Sequence, residues 1–334
     1  MKKVLLVTKD IMTFRSLYPI AEFLKSQGFK VSIAAEGKSI KLWKEARYDL
    51  VYEGDEDPKY WKLRESEAEE LIFRGSDGIL IGLSNPINLE SQIAHFSKRY
   101  HIPLGVISDT WGTINQLADK GEAPDWIFTL DAFDAGLCAA KFPDAHISVI
   151  GDITRKITPP EDVSRVCDKI QRTGKNLILI TGQNPGYTDD IIRIIRDSVA
   201  MEPQNCAVVV RLHPKFKGLP EEKPLRDLIE TFPPGTVVEI DGSTDEIASC
   251  ARIVVSVFKT VLRVGSIAHR TAISVVTPKT VAGMKKSTGL SQYPLAMMGN
   301  CLEISKPTLL SKIPRHDAYV PKEFNPAVVL EIFK

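Results

Sequence analysis

The stretch Leu177-Ile178-Leu179-Ile180-Thr181-Gly182-Gln183-Asn184-Pro185-Gly186-Tyr187-Thr188-Asp189-Asp190 decides how the chain is read. Its apolar run is long enough for a strand and too short for a core helix. Two glycines then punctuate a turn, and an apolar helix is expected from Thr188, with Thr188 as its N-cap. The run is continuous rather than alternating, as in parallel strands covered on both faces. Strand, glycine turn and helix in this order begin a βαβ unit.

The same unit recurs downstream. Strands are expected at Ala207–Arg211, Val237–Ile240, Ile253–Ser256 and Ala272–Val276, with helices around Leu225–Thr231, from Thr244, and over Val261–Ala268. Beyond Pro278 the glycines and prolines thicken and the pattern becomes irregular, until Val328–Phe333 reads as a helix returning to the first half. Upstream, Gly151–Pro160 is a pause in the alternation, and before it lie seven more apolar runs: Val4–Val7, Val31–Ala34, Leu50–Tyr52, Gly78–Ile81, Leu104–Ser108, Trp126–Leu130 and Ile147–Ile150. Helical spacing separates them at Leu17, Ile20, Ala21 and Leu24, closed by Gly28, at Asn88–Arg99 and at Ala132–Lys141. The expectation is therefore an α/β chain of two doubly wound, Rossmann-like domains facing a cleft, residues 1–152 and 153–334.

Composition agrees with a globular chain of this size. Of 334 residues, 43% are hydrophobic and 25% charged, which excludes disorder, collagen and coiled coil. The net charge of +1 gives no field to recruit nucleic acid. Residues 1–150 carry 18 Lys and Arg against 22 Asp and Glu, leaving 25 against 20 for the rest, so an anionic ligand is expected on the second half. Five scattered cysteines without a CxxC pair are expected to be reduced thiols, consistent with a cytoplasmic protein. The apolar run at Val4–Val7 is too short for a signal peptide, and no stretch approaches the ~18 residues a membrane span needs. Contact with the inner face of a membrane or with a partner enzyme stays open. No HExxH or other ligand spacing supports a metal site.

In doubly wound sheets, ligands sit at the carboxyl ends of strands. There Gly182, Asn184 and Gly186 read either as a phosphate cradle or as a plain capped turn, with Asp189 and Asp190 weakening the cradle by already complementing the helix dipole. Arg211-Leu212-His213-Pro214-Lys215 holds an imidazole at a strand tip beside cations, a pairing suited to phosphate. Ser256, Lys259 and Thr260 offer hydroxyls and a cation at the next helix start, and Asp241 offers a carboxylate for a base or ribose. In the first domain, Asp109 after a strand reads as a general base or a helix cap, Asp10 as a second carboxylate, and Trp111 as a stacking platform for a sugar.

These residues resemble the GT-B glycosyltransferases, especially the bacterial capsule and cell-wall group with a His-Pro signature. The resemblance rests on His213-Pro214, on Ser256–Thr260, and on Asp109-Thr110-Trp111 followed by Ala123-Pro124-Asp125-Trp126 and Phe142-Pro143. It implies that His213, Ser256 and Thr260 hold the donor phosphate of a nucleotide sugar, that Asp109 or Asp10 deprotonates an acceptor hydroxyl, and that no metal or other cofactor is needed. The implied activity is transfer, with inversion, onto a glycan or lipid-linked acceptor in surface polysaccharide synthesis. One departure stands out: the helix Thr260–Gly265 lacks the Glu with which many GT-B enzymes grip the donor ribose or sugar. The alternatives are a catalytically silent nucleotide-sugar-binding subunit, and a nucleotide-sugar epimerase or hydrolase on the same scaffold.

Overall fold

A computed structural model describes residues 1–54, 66, 69–70, 76–84, 87, 89–152, 167–168, 174–183, 185–213, 216–258 and 260–334. The chain divides into two compact units, Met1–Arg155 with Pro321–Lys334, and Lys156–Val320. Most of the pause at Gly151–Pro160 lies outside the described residues.

Unit 1 is built on seven parallel strands: β1 Lys3–Thr8, β2 Lys30–Ala35, β3 Leu50–Glu53, β4 Gly78–Gly82, β5 Leu104–Ile107, β6 Trp126–Thr129 and β7 His146–Val149. All seven apolar runs read from the sequence are strands, in the order β3-β2-β1-β4-β5-β6-β7. Alternate side chains of each strand serve opposite faces. Leu5 and Val7 join Ile79, Ile81 and Val106 under the helix Leu89–Arg99. Val4 and Leu6 join Leu80 and Phe128 under the helix Ile11–Ser26, which contributes Leu17, Ile20 and Leu24. Burial on both faces is the reason these strands show no polar alternation.

The second of those faces is completed from the far end of the chain. Pro326–Phe333 is a 3-10 helix, a tighter form than the α-helix its apolar spacing suggested, and it brings Val329 and Ile332 into the same core. Gly105 makes room for it: a Cβ there would lie 2.4 Å from Ile332 Cδ1. Gly151, at φ 98°, has a second reason to be glycine, because a Cβ would lie 2.2 Å from the Glu323 carbonyl oxygen. Asn325 N–H donates to the Ile150 carbonyl at 2.8 Å and Asp152 N–H to that of Lys322 at 3.0 Å, so the returning segment is hydrogen-bonded along the chain it crosses.

Unit 2 has five parallel strands, β8 Asn176–Thr181, β9 Cys206–Arg211, β10 Ile253–Ser256, β11 Thr271–Val275 and β12 Leu302–Ile304, in the order β12-β11-β10-β8-β9. Three readings are corrected here. Val237–Ile240 is not a strand: it touches β9 through a single bridge at Val208–Val237, because the turn at Pro233-Pro234-Gly235 delivers it only at the sheet edge. Pro278 does not begin an irregular tail. It opens the helix Pro278–Thr288 behind a Thr277 cap, where its missing N–H costs nothing, and the chain then adds β12. The cysteines are not all thiols, since Cys167 and Cys250 form a disulfide across 83 residues with Cα atoms 5.1 Å apart. That separation leaves no local spacing to read, while Cys138, Cys206 and Cys301 are buried thiols.

Candidate functional site at the carboxyl ends of the strands

The chain leaves β8 for β9 on one side and later returns to β10 on the other. The switch point of unit 2 therefore lies between the carboxyl ends of β8 and β10. The loops after β8, β9 and β10 emerge side by side, which brings Gly182 and Gly186, His213 and Thr260 to one sheet edge. His213 is half-buried after β9; its carbonyl accepts from Phe216 N–H at 3.0 Å and its ring meets Phe216 edge-on at 5.9 Å. Asn184, Lys215 and Lys259, together with Pro214, lie outside the described residues.

The details change several expectations. The helix after β8 starts at Pro185, so Thr188 sits inside it; the Thr188 hydroxyl instead accepts from Gln183 N–H at 3.0 Å and closes the turn. Gly182 N–H is taken by the Arg211 carbonyl at 2.8 Å, so this glycine does not offer its amide to a ligand. Asp189 and Asp190 fall beyond the first turn of the helix and engage the start of the helix Pro278–Thr288: Thr277 Oγ1 donates to Asp190 at 2.6 Å and Lys279 pairs with Asp189 at 3.3 Å. Their objection to an anion at this helix start is thereby removed.

Ser256 is fully buried and donates to the Thr181 carbonyl at 3.1 Å, tying β10 to β8 rather than pointing a hydroxyl at a ligand. Thr260 is the first residue of the helix Thr260–Ile267 and remains half-buried at the edge. That helix carries Arg263, 1% exposed, at the place where the resemblance led one to look for a Glu.

Asp241 is exposed beside a pocket of 350 Å³ lined by Val209, Arg211, Val238 and Gly242. The sequence reading missed Arg211. Its guanidinium donates to the carbonyls of Ile240 and Gly242, the latter at 3.3 Å, and so clamps the 240–242 loop against the end of β9. A cation ending a strand that is otherwise wholly apolar was the available signal.

In unit 1 the carboxyl ends of β5, β6 and β7 converge on a crevice of 10 Å³, about the room one water needs, lined by Ser16, Ser108, Asp109 and Asp152. Asp109 is 7% exposed and its Oδ2 accepts from the Ser16 hydroxyl at 3.1 Å. It is not the cap of the following helix, whose N-cap position is Ile114. Asp10, by contrast, caps Ile11–Ser26 through a 2.9 Å bond from Thr13 N–H, with Thr13 Oγ1 answering the Asp10 amide at 3.0 Å. Trp111 is not a stacking platform: it is 2% exposed and its indole N–H donates to Asp131 Oδ2 at 3.0 Å.

Two further acids were missed. Asp131 caps the helix Ala132–Lys141 by accepting from Asp134 N–H at 2.8 Å, and Asp134 is wholly buried behind it. Burial pushes the Asp134 carboxyl up to about 7, against the pull of the Ser108 hydroxyl and with the help of the Asp131 charge. The Asp-x-x-Asp spacing straight after β6 is the sequence signal for this pair.

A carboxyl held protonated in the folded state stabilises it below the ordinary Asp range, and that contribution is lost as pH rises toward about 7. Asp134→Asn is therefore expected to melt increasingly above the parent from pH 4 to pH 8, a trend that thermal melts across that range would check.

No protein-family model matches the chain, and no curated protein matches it in sequence. Solved structures do. UDP-GlcNAc 2-epimerase from Neisseria meningitidis, bound to UDP-GlcNAc, is similar at a TM-score of 0.63 and 13% identity, over 91% of this chain and 88% of that one. MurG from Acinetobacter baumannii is similar at 0.57 and 14%, over 100% and 90%. The fold is GT-B.

Anabaena Alr3699/HepE, in complex with UDP and glucose, adds a third likeness at a TM-score of 0.59 and 12% identity, over 92% of this chain and 86% of that one. The GT-B likeness spans the whole chain and does not single out the capsule group suggested by His213-Pro214. Among the described residues, no helix is long and apolar enough to cross a membrane and no His, Cys, Asp and Glu group is set to hold a metal.

Proposed function

We propose that this chain is an enzyme acting on a nucleotide sugar, and that it transfers the sugar to a glycan or lipid-linked acceptor. The observation that carries this reading is the convergence of His213, Thr260 and the Pro185 helix start at the unit 2 switch point, beside the pocket that Arg211 and Asp241 border. Solved structures of the same fold hold UDP, UDP-GlcNAc or UDP with glucose, which favours UDP as the first nucleotide to try.

The chemistry divides between the units. At the unit 2 edge, His213 and the Thr260 hydroxyl bind and stabilise the departing phosphate, with Arg211 fixing the neighbouring loop. In unit 1, Asp109 takes the proton of the acceptor hydroxyl, while Ser16 holds the carboxylate in place. Lys215 and Lys259 remain part of the proposed phosphate set, and Asn184 part of the loop.

A second reading, an epimerase acting on a nucleotide sugar, has its own support. The structures named as UDP-GlcNAc 2-epimerases, one of them a putative one, reach TM-scores of 0.62 to 0.64, against 0.57 for MurG. Mixing the protein with UDP-GlcNAc alone separates the two, because an epimerase converts it without an acceptor and a transferase does not.

A thermal-shift panel of UDP, CDP, CMP and GDP tests the shared core of both readings. A nucleotide at 100 times its dissociation constant adds about 2.7 kcal/mol, and a panel without any shift refutes nucleotide binding. His213→Ala is expected to weaken the best nucleotide about tenfold to a hundredfold, the range for a hydrogen bond to a charged group, with the melting temperature unchanged. Equal affinities by calorimetry would remove His213 from the site.

A further inference from the structure

At the amino ends of the unit 2 strands, opposite the edge that carries His213, lies a cavity of 270 Å³. Lys175 reaches it just before β8, Arg252 just before β10 and Arg270 just before β11, and Arg315 comes from the segment after β12. These strands are neighbours in the sheet, so topology alone gathers Lys175, Arg252 and Arg270, and Arg315 joins them from the segment after β12. His269 also lines the cavity, and among the described residues no carboxylate does. The floor is recessed, because Leu177, Cys250 and Thr271 are buried, and the Cys167–Cys250 disulfide pins one wall.

Arg252 and Arg270 are oriented by neutral hydrogen-bond partners. Arg252 Nη1 donates to Asn176 Oδ1 at 2.8 Å and Arg270 Nε to the Ser249 carbonyl at 2.7 Å. Arg315 makes no hydrogen bond or ion pair among the described residues. Glu202, the carboxylate whose charge Arg252 feels, is buried and accepts from the Ser311 amide at 2.8 Å.

Four like charges around one concavity repel each other, and a multiply charged anion between them reverses the sign of that interaction. Guanidinium groups match phosphate oxygens two at a time. The volume falls short of the ~300 to 1,000 Å³ of sites for drug-sized ligands, which favours a small anion over a whole nucleotide.

We propose that this cavity is a second ligand site, which takes a small soluble phosphoanion of the pyrophosphate class and is separate from the nucleotide edge. Calorimetry with inorganic pyrophosphate, run with and without excess UDP, tests it. Binding is expected to persist in UDP, and Arg315→Glu and Arg270→Gln are each expected to weaken it about tenfold or more, while leaving the response to UDP unchanged.

Arg315 is exposed, so its variant is expected to fold; should its circular-dichroism melt differ, Arg270→Gln carries the comparison. Loss of pyrophosphate binding on adding UDP would overturn the proposal by moving the anion to the nucleotide edge. Parental affinity in both folded variants, or binding only to vesicles containing phosphatidic acid, would overturn it as well. If UDP itself fails to bind while pyrophosphate binds and responds to the variants, the proposed nucleotide function falls and this site stands.

Discussion

Asp109→Asn is expected to lower turnover by ~10² to 10⁴, the usual worth of a general base, without changing nucleotide affinity. The substitution keeps the shape of the side chain and an oxygen for the Ser16 hydroxyl, and removes the charge and with it the capacity to take a proton. Because Asp109 caps no helix and is not part of the unit 1 apolar core, the melting temperature is expected to stay near that of the parent. Steady-state turnover with the nucleotide sugar, beside calorimetry with UDP, checks both halves of the expectation. Near-parental turnover would exclude Asp109 as the base and direct attention to Asp152, the other acid in the same crevice, rather than to Asp10, which is occupied as a cap.

The largest effect expected on stability comes from the opposite side of unit 1. Ile332→Ala is expected to destabilise that unit by about 2 to 5 kcal/mol, as other large-to-small changes in cores do. Ile332 is buried against the bare backbones of Gly78 and Gly105, and neither glycine has side-chain atoms with which to fill the space left behind. All four tryptophans fall within Met1–Arg155, so urea unfolding followed by tryptophan fluorescence reports on unit 1 alone. A midpoint equal to the parent's would show that the returning segment does not hold the core.

Where burial on both faces wrote a continuous apolar run, the strand was legible, as in β1, β4, β5, β8 and β10, while β3 and β7, more exposed at the sheet edges, were legible as short apolar runs in the same alternation. β12 escaped because its three residues, two of them half-buried, sit among prolines and glycines that read as a tail. The Val237–Ile240 run was apolar for another reason: it packs near β9 without joining the sheet beyond one bridge. Strand ends marked the right places in the site, but they could not say which groups were already spoken for. The Ser256 hydroxyl and the Gly182 amide are used by neighbouring strands, and Trp111 is turned inward by Asp131. Those are partnerships between residues far apart in sequence, as are the disulfide and the cation cluster at the amino edge. Asp134 was within reach of pattern reading, since an acid three residues past a capping Asp and facing the core has nowhere to shed its charge.

Unit 1 also sets a schedule for its own folding. Its last strand is made by Val149, but the segment that covers Gly78 and Gly105 follows only after the whole of unit 2. At about 5 to 20 residues per second, that interval is roughly ten to thirty seconds on the ribosome. Throughout it the apolar groove between β4 and β5 stands open beside a nascent chain, while unit 2, continuous in sequence, is free to close as it emerges. The half of the molecule that is synthesised first is thus the half that matures last, and any chaperone that attends this chain has its natural target in that groove.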